Sequence, residues 1–346
     1  LKVALPYCEV RVKNLAICWN SLVLISTLKS KNLISYTQSA GNPDISCFSK
    51  DLEKCSDLKN SSETICEISR NFEIFFYTSN NLISKEWLTW FIGFSEGDGA
   101  ILITKGKPRF VLTQKEGTIL FHIKEVLGFG TVRQYNGYYR FIVSEPQSIL
   151  LLIYIFNGNL VLPYRQKQLG NWIYAINCFN YSNSLSFKSW DKKELILELN
   201  PTLIQPNLTD AWLSGFTDAE GCFNVKIDPR PNTITGYRVF LRFLLDQKNA
   251  ESTLLLVRDL FKFGQVSVRG NTNGVYRYHN NTFKGLIPVR NYFLAFPLKT
   301  KKAESFKHWL EVFNMVLKKE HWSPEGLEKI RVIAKIINNK NSLNNK

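Results

Sequence analysis

Two acids, Asp98 and Glu220, close two stretches written in the same frame, WFIGFSEGDG at 90–99 and WLSGFTDAEG at 212–221. Each stretch opens on a tryptophan, carries a glycine in mid-run (Gly93, Gly215) and places the acid directly before another glycine (Gly99, Gly221). A carboxylate at a helix C-terminus faces the negative pole of the helix dipole, and two such groups brought together repel. Stability alone would choose Lys, Asn or Ser there. A single Asp-Gly or Glu-Gly pair is usually a solvated turn. Recurrence in one frame argues instead for acids kept to hold a divalent cation. Beside a phosphate, such a cation serves phosphodiester hydrolysis, because it stabilises charge growing on phosphorus and supplies an activated water.

The elements that must deliver those acids are two helices. Small residues lie four apart in each, Gly93 with Gly97 and Gly215 with Ala219, so each helix has a shallow groove in which a second backbone can lie. Gly99 and Gly221 read as the glycines that end the helices. Packed side by side, the pair brings Asp98 and Glu220 together at the bottom of the seam.

The order of elements after each motif also repeats. After the first come a hairpin around Gly106-Lys107-Pro108, a helical pattern at 116–128, a hairpin around Asn136-Gly137 and a helix at about 146–157. After a helix at 209–220, the second repeat gives strands at 222–230 and 236–248, a helix at 251–262, a hairpin within 263–280 and a helix near 283–293. FVLTQK (110–115) echoes FLLDQK (243–248), and LGFGTV (127–132) echoes FKFGQV (261–266). The expected fold is α+β, two αββαββα domains related by pseudo-symmetry. The expected bounds are an extension at 1–81, a first domain at 82–180, a linker at 181–207 and a second domain at 208–340. Ser323 and Pro324 start a terminal helix over 323–337, and residues 338–346 read as frayed, with 341–346 outside the domain.

The strands sort their side chains by face. Phe223, Val225 and Ile227 alternate with Asn224, Lys226, Asp228 and Arg230, and neighbouring strands add Arg238, Arg242, Arg269 and Arg277 to the polar set. The first repeat contributes Thr104, Arg109, Arg133, Tyr135 and Arg140. These are residues that meet phosphates and base edges, and a two-stranded ribbon fits the major groove. The thirteen together predict a DNA-binding surface.

The paired stretches resemble the motif of the LAGLIDADG homing endonucleases, in the single-chain form that carries both copies. The resemblance covers about residues 82–340. Phe94 and Ser95 stand for Leu-Ile in the first copy, and Phe216 and Thr217 in the second; the final acid and glycine are intact in both. It implies curved, saddle-like antiparallel sheets paired through the motif helices. It also implies a monomer on a long double-stranded DNA site and Mg²⁺, or another divalent cation such as Mn²⁺, held by Asp98 and Glu220. The carbonyls of Gly97 and Ala219 would complete the metal shell. Gln114 and Gln247 match the family's glutamine, and Lys301 and Arg165 its basic residue, so these four would order water around the cut. Because such proteins are commonly encoded in organellar introns, the expected setting is the mitochondrion. The alternative function is an RNA maturase that assists splicing of the host intron RNA.

Composition agrees with a nucleic-acid partner. The formal charge of the 346-residue chain is +15, from 44 basic and 29 acidic side chains. Residues 1–81 hold nine basic and eight acidic ones, so nearly all the excess lies in the motif-bearing part. Seven cysteines without a CxxC, five of them before residue 70, fit reduced thiols better than a zinc or disulfide framework. The apolar run at 15–26 is too short to span a bilayer, so no membrane partner is expected. The start at Leu1 and the lone Met315 suggest a processed product or a reading frame continued from upstream.

Overall fold

The computed structural model describes residues 72–79, 82–178, 196–200, 204–270 and 272–344. The expectations for residues 1–71 and for most of the linker lie outside them. The described residues all fall within one compact unit, Ile68–Lys346.

In the first repeat a short helix α1 (Glu73–Ser79) precedes the motif helix α2 (Lys85–Asp98). Then come β1 (Gly99–Thr104), β2 (Lys107–Gln114), α3 (Thr118–Leu127), β3 (Thr131–Tyr135), β4 (Tyr138–Val143), α4 (Pro146–Phe156) and α5 (Pro163–Cys178). The second repeat runs from the motif helix α6 (Trp212–Glu220) through β5 (Gly221–Pro229), β6 (Tyr237–Lys248), α7 (Glu251–Phe261), β7 (Gln265–Val268), β8 (Val275–Asn280) and α8 (Phe283–Ala295) to α9 (Lys302–Leu317). A 3-10 turn (Glu320–Trp322) and α10 (Pro324–Asn344) close the chain. Each repeat builds an antiparallel sheet of the same order, β1-β2-β4-β3 and β5-β6-β8-β7.

The alternation seen in the sequence decides how each sheet packs. Phe223, Val225, Phe243 and Leu245 are buried on the helix side, where Phe223 meets Phe293, Phe306 and Trp309. Phe110 plays that part in the first repeat, against Phe91, Phe156 and Trp172. Each large side chain so buried contributes about 1.5–3 kcal/mol.

The structure corrects several expectations. Phe72 and Phe75, assigned to the extension, are buried in the core, so residues 72–79 belong to the first repeat. Helices α5 and α9 are additions to the expected order; their charged residues dilute an apolar stripe whose centre is Leu169, Trp172 and Ile176 in α5. The motif helix of the second repeat starts at Trp212 rather than 209, because Asn207 and Asp210 hold an Asx turn before it. The tail expected to fray from 338 is helical to Asn344. Ser323 caps that helix as read, accepting from Gly326 N at 3.0 Å.

Candidate active site

Helices α2 and α6 cross with their backbones in contact. A Cβ on Gly93 would stand 2.0 Å from the Trp212 carbonyl oxygen, and one on Gly215 would stand 1.8 Å from that of Trp90. One turn on, a Cβ on Gly97 would meet Ala219 Cβ at 2.3 Å and Glu220 Cγ at 3.1 Å. The groove predicted from residue spacing is therefore filled by the other helix. Gly99 and Gly221 end the helices without a left-handed turn, with φ of −77° and −84°. Their missing side chains matter sterically instead: a Cβ would lie 2.3 Å from Ser95 O in one and 2.4 Å from Thr217 Cγ2 in the other.

This packing carries Asp98 and Glu220 to one place. Burial raises both carboxyls above the usual range, Glu220 to about 7, and the Asp98 charge adds to the burial effect on Glu220. The nearby ammonium of Lys302 opposes both shifts, with Arg165 helping. Gln114, at the end of β2 on the helix side of the sheet, donates to Asp98 Oδ2 at 2.6 Å. Its counterpart Gln247 is buried but turned elsewhere, donating to the Tyr164 hydroxyl at 3.2 Å. Tyr164 in turn donates to Glu96 O at 3.2 Å, so a residue of the first repeat latches the glutamine of the second.

Two cations flank the acids. Arg165 donates to the carbonyls of Glu96 (2.9 Å) and Gly97 (3.1 Å), and Lys302 to those of Thr217 (3.2 Å) and Ala219 (2.6 Å). Each cation thus sits on the backbone just before its own motif acid. Arg165 is where the sequence put it. Lys301 is not: its exposed ammonium pairs with Glu116, and the residue aimed into the seam is Lys302. Alignment on Trp172 and Trp309, both buried and 137 positions apart, would have matched Arg165 with Lys302. Burial lowers the Lys302 pKa in spite of Asp98, Asp218 and Glu220 around it.

Sequence reasoning also missed a second pair of acids. Glu96 and Asp218, each two residues before a motif acid, are buried. Glu96 accepts the N–H groups of Val161 and Leu162 (2.9 and 2.7 Å), and Asp218 those of Lys299 and Thr300 (2.7 and 3.1 Å). Those loops lead directly to Arg165 and Lys302. Each acid also accepts an indole N–H from the opposite motif helix, Trp212 to Glu96 at 2.6 Å and Trp90 to Asp218 at 2.8 Å.

The sequence model of the LAGLIDADG endonuclease family matches residues 91–176 and 213–313, one block on each motif. The chain belongs to that family. The probable intron-encoded endonuclease 4 of Neurospora crassa is 37% identical over 254 residues, 71% of this chain and 43% of that protein. A protein of cox1 intron 2 from Schizosaccharomyces pombe is 28% identical over 215 residues, 62% of this chain and 61% of its own. The chain therefore spans less than two thirds of either relative. Among solved structures, the meganuclease I-CpaMI bound to uncleaved DNA superposes with a TM-score of 0.57 at 20% identity, over 72% of this chain and 99% of that one. I-SmaMI bound to uncleavable DNA gives 0.58 at 15% identity, over 74% and 97%. These likenesses establish the two-sheet LAGLIDADG fold.

On that fold the polar strand residues among the thirteen share the sheet face opposite the helices, while Arg230 and Arg269 follow the ends of β5 and β7. Register places Arg109 across from Leu102, and Arg140 across from Thr113 and Arg133. Thr104, Arg133 and Tyr135 are exposed, and the Arg140 guanidinium stacks on Tyr135 and Tyr138 (5.3 and 5.0 Å). In the second repeat Asn224 faces Arg242, and Asp228 faces Arg238. Arg230 begins the turn after β5, its N–H on Gly236 O at 2.7 Å. This face is more tightly paired than its composition implied. Asp246 holds Arg277 through two bonds (2.6 and 2.7 Å) and Arg269 at 3.3 Å, and Lys226 holds Asp228 at 2.7 Å. By contrast, the Nε groups of Arg109 and Arg140 have no partner among the described residues.

The donors at the seam are oxygens, two carboxylates and the carbonyls of Gly97 and Ala219, which suits a hard divalent cation. Among the described residues no three His, Cys, Asp or Glu side chains form a ready cage. The set is thus sparse, leaving room for water and phosphate oxygens. The two carbonyls already accept from Arg165 and Lys302, but each has a second lone pair.

Proposed function

We propose that the chain is a site-specific endonuclease that hydrolyses both strands of duplex DNA with a divalent metal, Mg²⁺ or Mn²⁺, and so spreads its own intron. The carrying observation is the pair of raised carboxyls, Asp98 and Glu220, at the ends of two helices in backbone contact. Outside a cation site, that placement only costs stability. The relative named as an endonuclease and the neighbours held on DNA support cleavage over the splicing alternative, and the cox1-intron relative supports a mitochondrial setting.

Asp98 and Glu220, with the carbonyls of Gly97 and Ala219, would hold the metal, which supplies charge stabilisation at phosphorus and a more acidic water. The protein side chains divide the remaining work. Gln114 orients the Asp98 carboxylate, and Arg165 and Lys302 offset negative charge on their own sides of the seam. The two sides differ: a guanidinium cannot readily lose its proton, whereas burial lowers the pKa of the Lys302 ammonium and eases the loss of its proton. The two strands are therefore cut at unequal rates. Because both motif helices come from one chain, the protein acts as a monomer.

The test is cleavage of a selected duplex in Mg²⁺ by the wild type and by Asp98→Asn and Glu220→Gln. Loss of cutting by at least about a thousandfold with duplex binding retained supports the assignment; full activity in the double variant refutes it.

A further inference from the structure

Helix α10 lies beyond the family match, which ends at residue 313, yet it reaches the DNA-facing side of the second sheet. Ile330, Ile333 and Ile337 bury its apolar stripe, and Arg331 stacks on Tyr237 at the start of β6 (4.3 Å). β5 is an edge strand, so half of its carbonyls have no strand partner on that side. Asn338 meets one of them: its Nδ2 donates to Val225 O at 2.9 Å. Its Oδ1 accepts from Asn224 Nδ2 at 2.7 Å, and Asn224 Oδ1 accepts from Arg242 Nε at 2.9 Å and from Arg242 Nη2.

Both ends of this chain of bonds fix its polarity. A guanidinium only donates and a backbone carbonyl only accepts, so each amide between them has a single orientation that satisfies it. We propose that α10 sets the aim of Arg242 through this two-amide relay, making Asn338 a positioning residue for sequence choice. The inference rests on the endonuclease reading of the sheet face.

The first repeat provides an internal contrast. Taking Gln114 and Gln247 as equivalent matches Arg109 with Arg242. Arg109, however, lies opposite Leu102, and its Nε has no protein partner among the described residues. The edge of β1 is covered by an indole instead, Trp172 Nε1 on Leu102 O at 2.7 Å. Arg242 is therefore held in advance in one fork geometry while Arg109 is not. A held fork discriminates more sharply, because fewer orientations can serve a wrong base.

Asn224 is four residues past Glu220, about 13 Å along β5, or roughly four base pairs from the cut at about 3.4 Å per pair. The experiment is selection of cleaved duplexes from a randomised library in Mg²⁺, using the full chain. The proteins compared are wild type, Arg242→Ala, Asn338→Ala, Asn224→Ala and the Asn338→Ala/Arg242→Ala double variant. Asn338→Ala is expected to weaken base preference about tenfold at the position that Arg242→Ala relaxes. It should leave the positions read by the first repeat unchanged and add nothing in the Arg242→Ala background. Asn224→Ala breaks the relay from the strand side and leaves α10 untouched, so the same result should follow even if Asn338→Ala folds poorly. Uniform slowing on all duplexes, or unchanged preference at the Arg242 position, overturns the relay. A wild type that cuts no duplex overturns the endonuclease reading itself.

Discussion

Trp212 donates its indole N–H to Glu96 across the helix seam at 2.6 Å, and Trp90 returns the same bond to Asp218 at 2.8 Å. The two motif helices are therefore tied by crossed polar bonds as well as by glycine contact. Each acid also holds the loop that presents Arg165 or Lys302, so helix pairing and cation placement are one construction. Trp212→Phe keeps an aromatic ring and removes the donor to a buried carboxylate. It should cost about 1.5–3 kcal/mol. Glu96→Ala strands three donors together and should cost more. Thermal unfolding checks both, with a fall of about 2–4 °C per kcal/mol for a domain of this size.

The glycine seam makes a sharper claim. In Gly93→Ala or Gly215→Ala the new methyl would coincide with a backbone carbonyl, which cannot move without parting the helices. The expected loss is above about 4 kcal/mol, enough to leave little folded protein. Gly128→Ala is the control: φ there is +74° and nothing lies within 4 Å of the added Cβ, so only about 1 kcal/mol of backbone strain is expected. Equal yields of soluble protein from Gly215→Ala and Gly128→Ala would show that the helices are not in contact.

How far the sequence can be read depends on where its signals are local. The motif helices, the hairpins and the alternation of β5 are written within a dozen residues, and they appear within a few residues of the expected places, the second motif helix starting at Trp212 rather than 209. A charge run does not say whether Lys301 or Lys302 points inward; that depends on the phase of α9, set by Trp309 against Phe223. Glu96 and Asp218 were invisible for a related reason. An acid in the last turn of a helix reads as solvated until long-range contacts supply N–H groups from loops more than sixty residues away. Asn338 opens a polar tail just past Ile337, and its partners Asn224 and Val225 lie more than a hundred residues away in sequence.

Lys302 faces the seam and Lys301 faces solvent, so cleavage should tell the two apart. Lys302→Met removes the charge beside Ala219 O and both motif acids, and cleavage should fall by about a hundredfold or more, as for loss of a placed electrostatic group. Lys301→Met breaks only an exposed pair with Glu116 and should stay within a few-fold of wild type. Single-turnover cleavage of a supercoiled plasmid measures both. If Lys302 serves one side of the seam, its variant should accumulate nicked circles. Equal effects from the two substitutions would remove Lys302 from the site.

Glu220 gives the metal-free protein a distinctive pH response. Its carboxyl is raised to about 7 from an ordinary 4.5, so between those values the folded protein keeps a proton that the unfolded chain has lost. Stability should therefore decline as pH rises from about 4.5 to about 7 and then level off. Glu220→Gln, which is neutral throughout, should melt higher than wild type at pH 8 in chelator and close to it at pH 5. A divalent cation reverses the preference, because it needs the carboxylate. Below pH 7 binding must displace the proton, and apparent metal affinity should drop by up to about tenfold per pH unit. Calorimetric titration in buffers of different ionisation heat would register that proton at pH 6 and lose it in Glu220→Gln. Proton release that is the same in wild type and Glu220→Gln would take Glu220 out of the metal's reach.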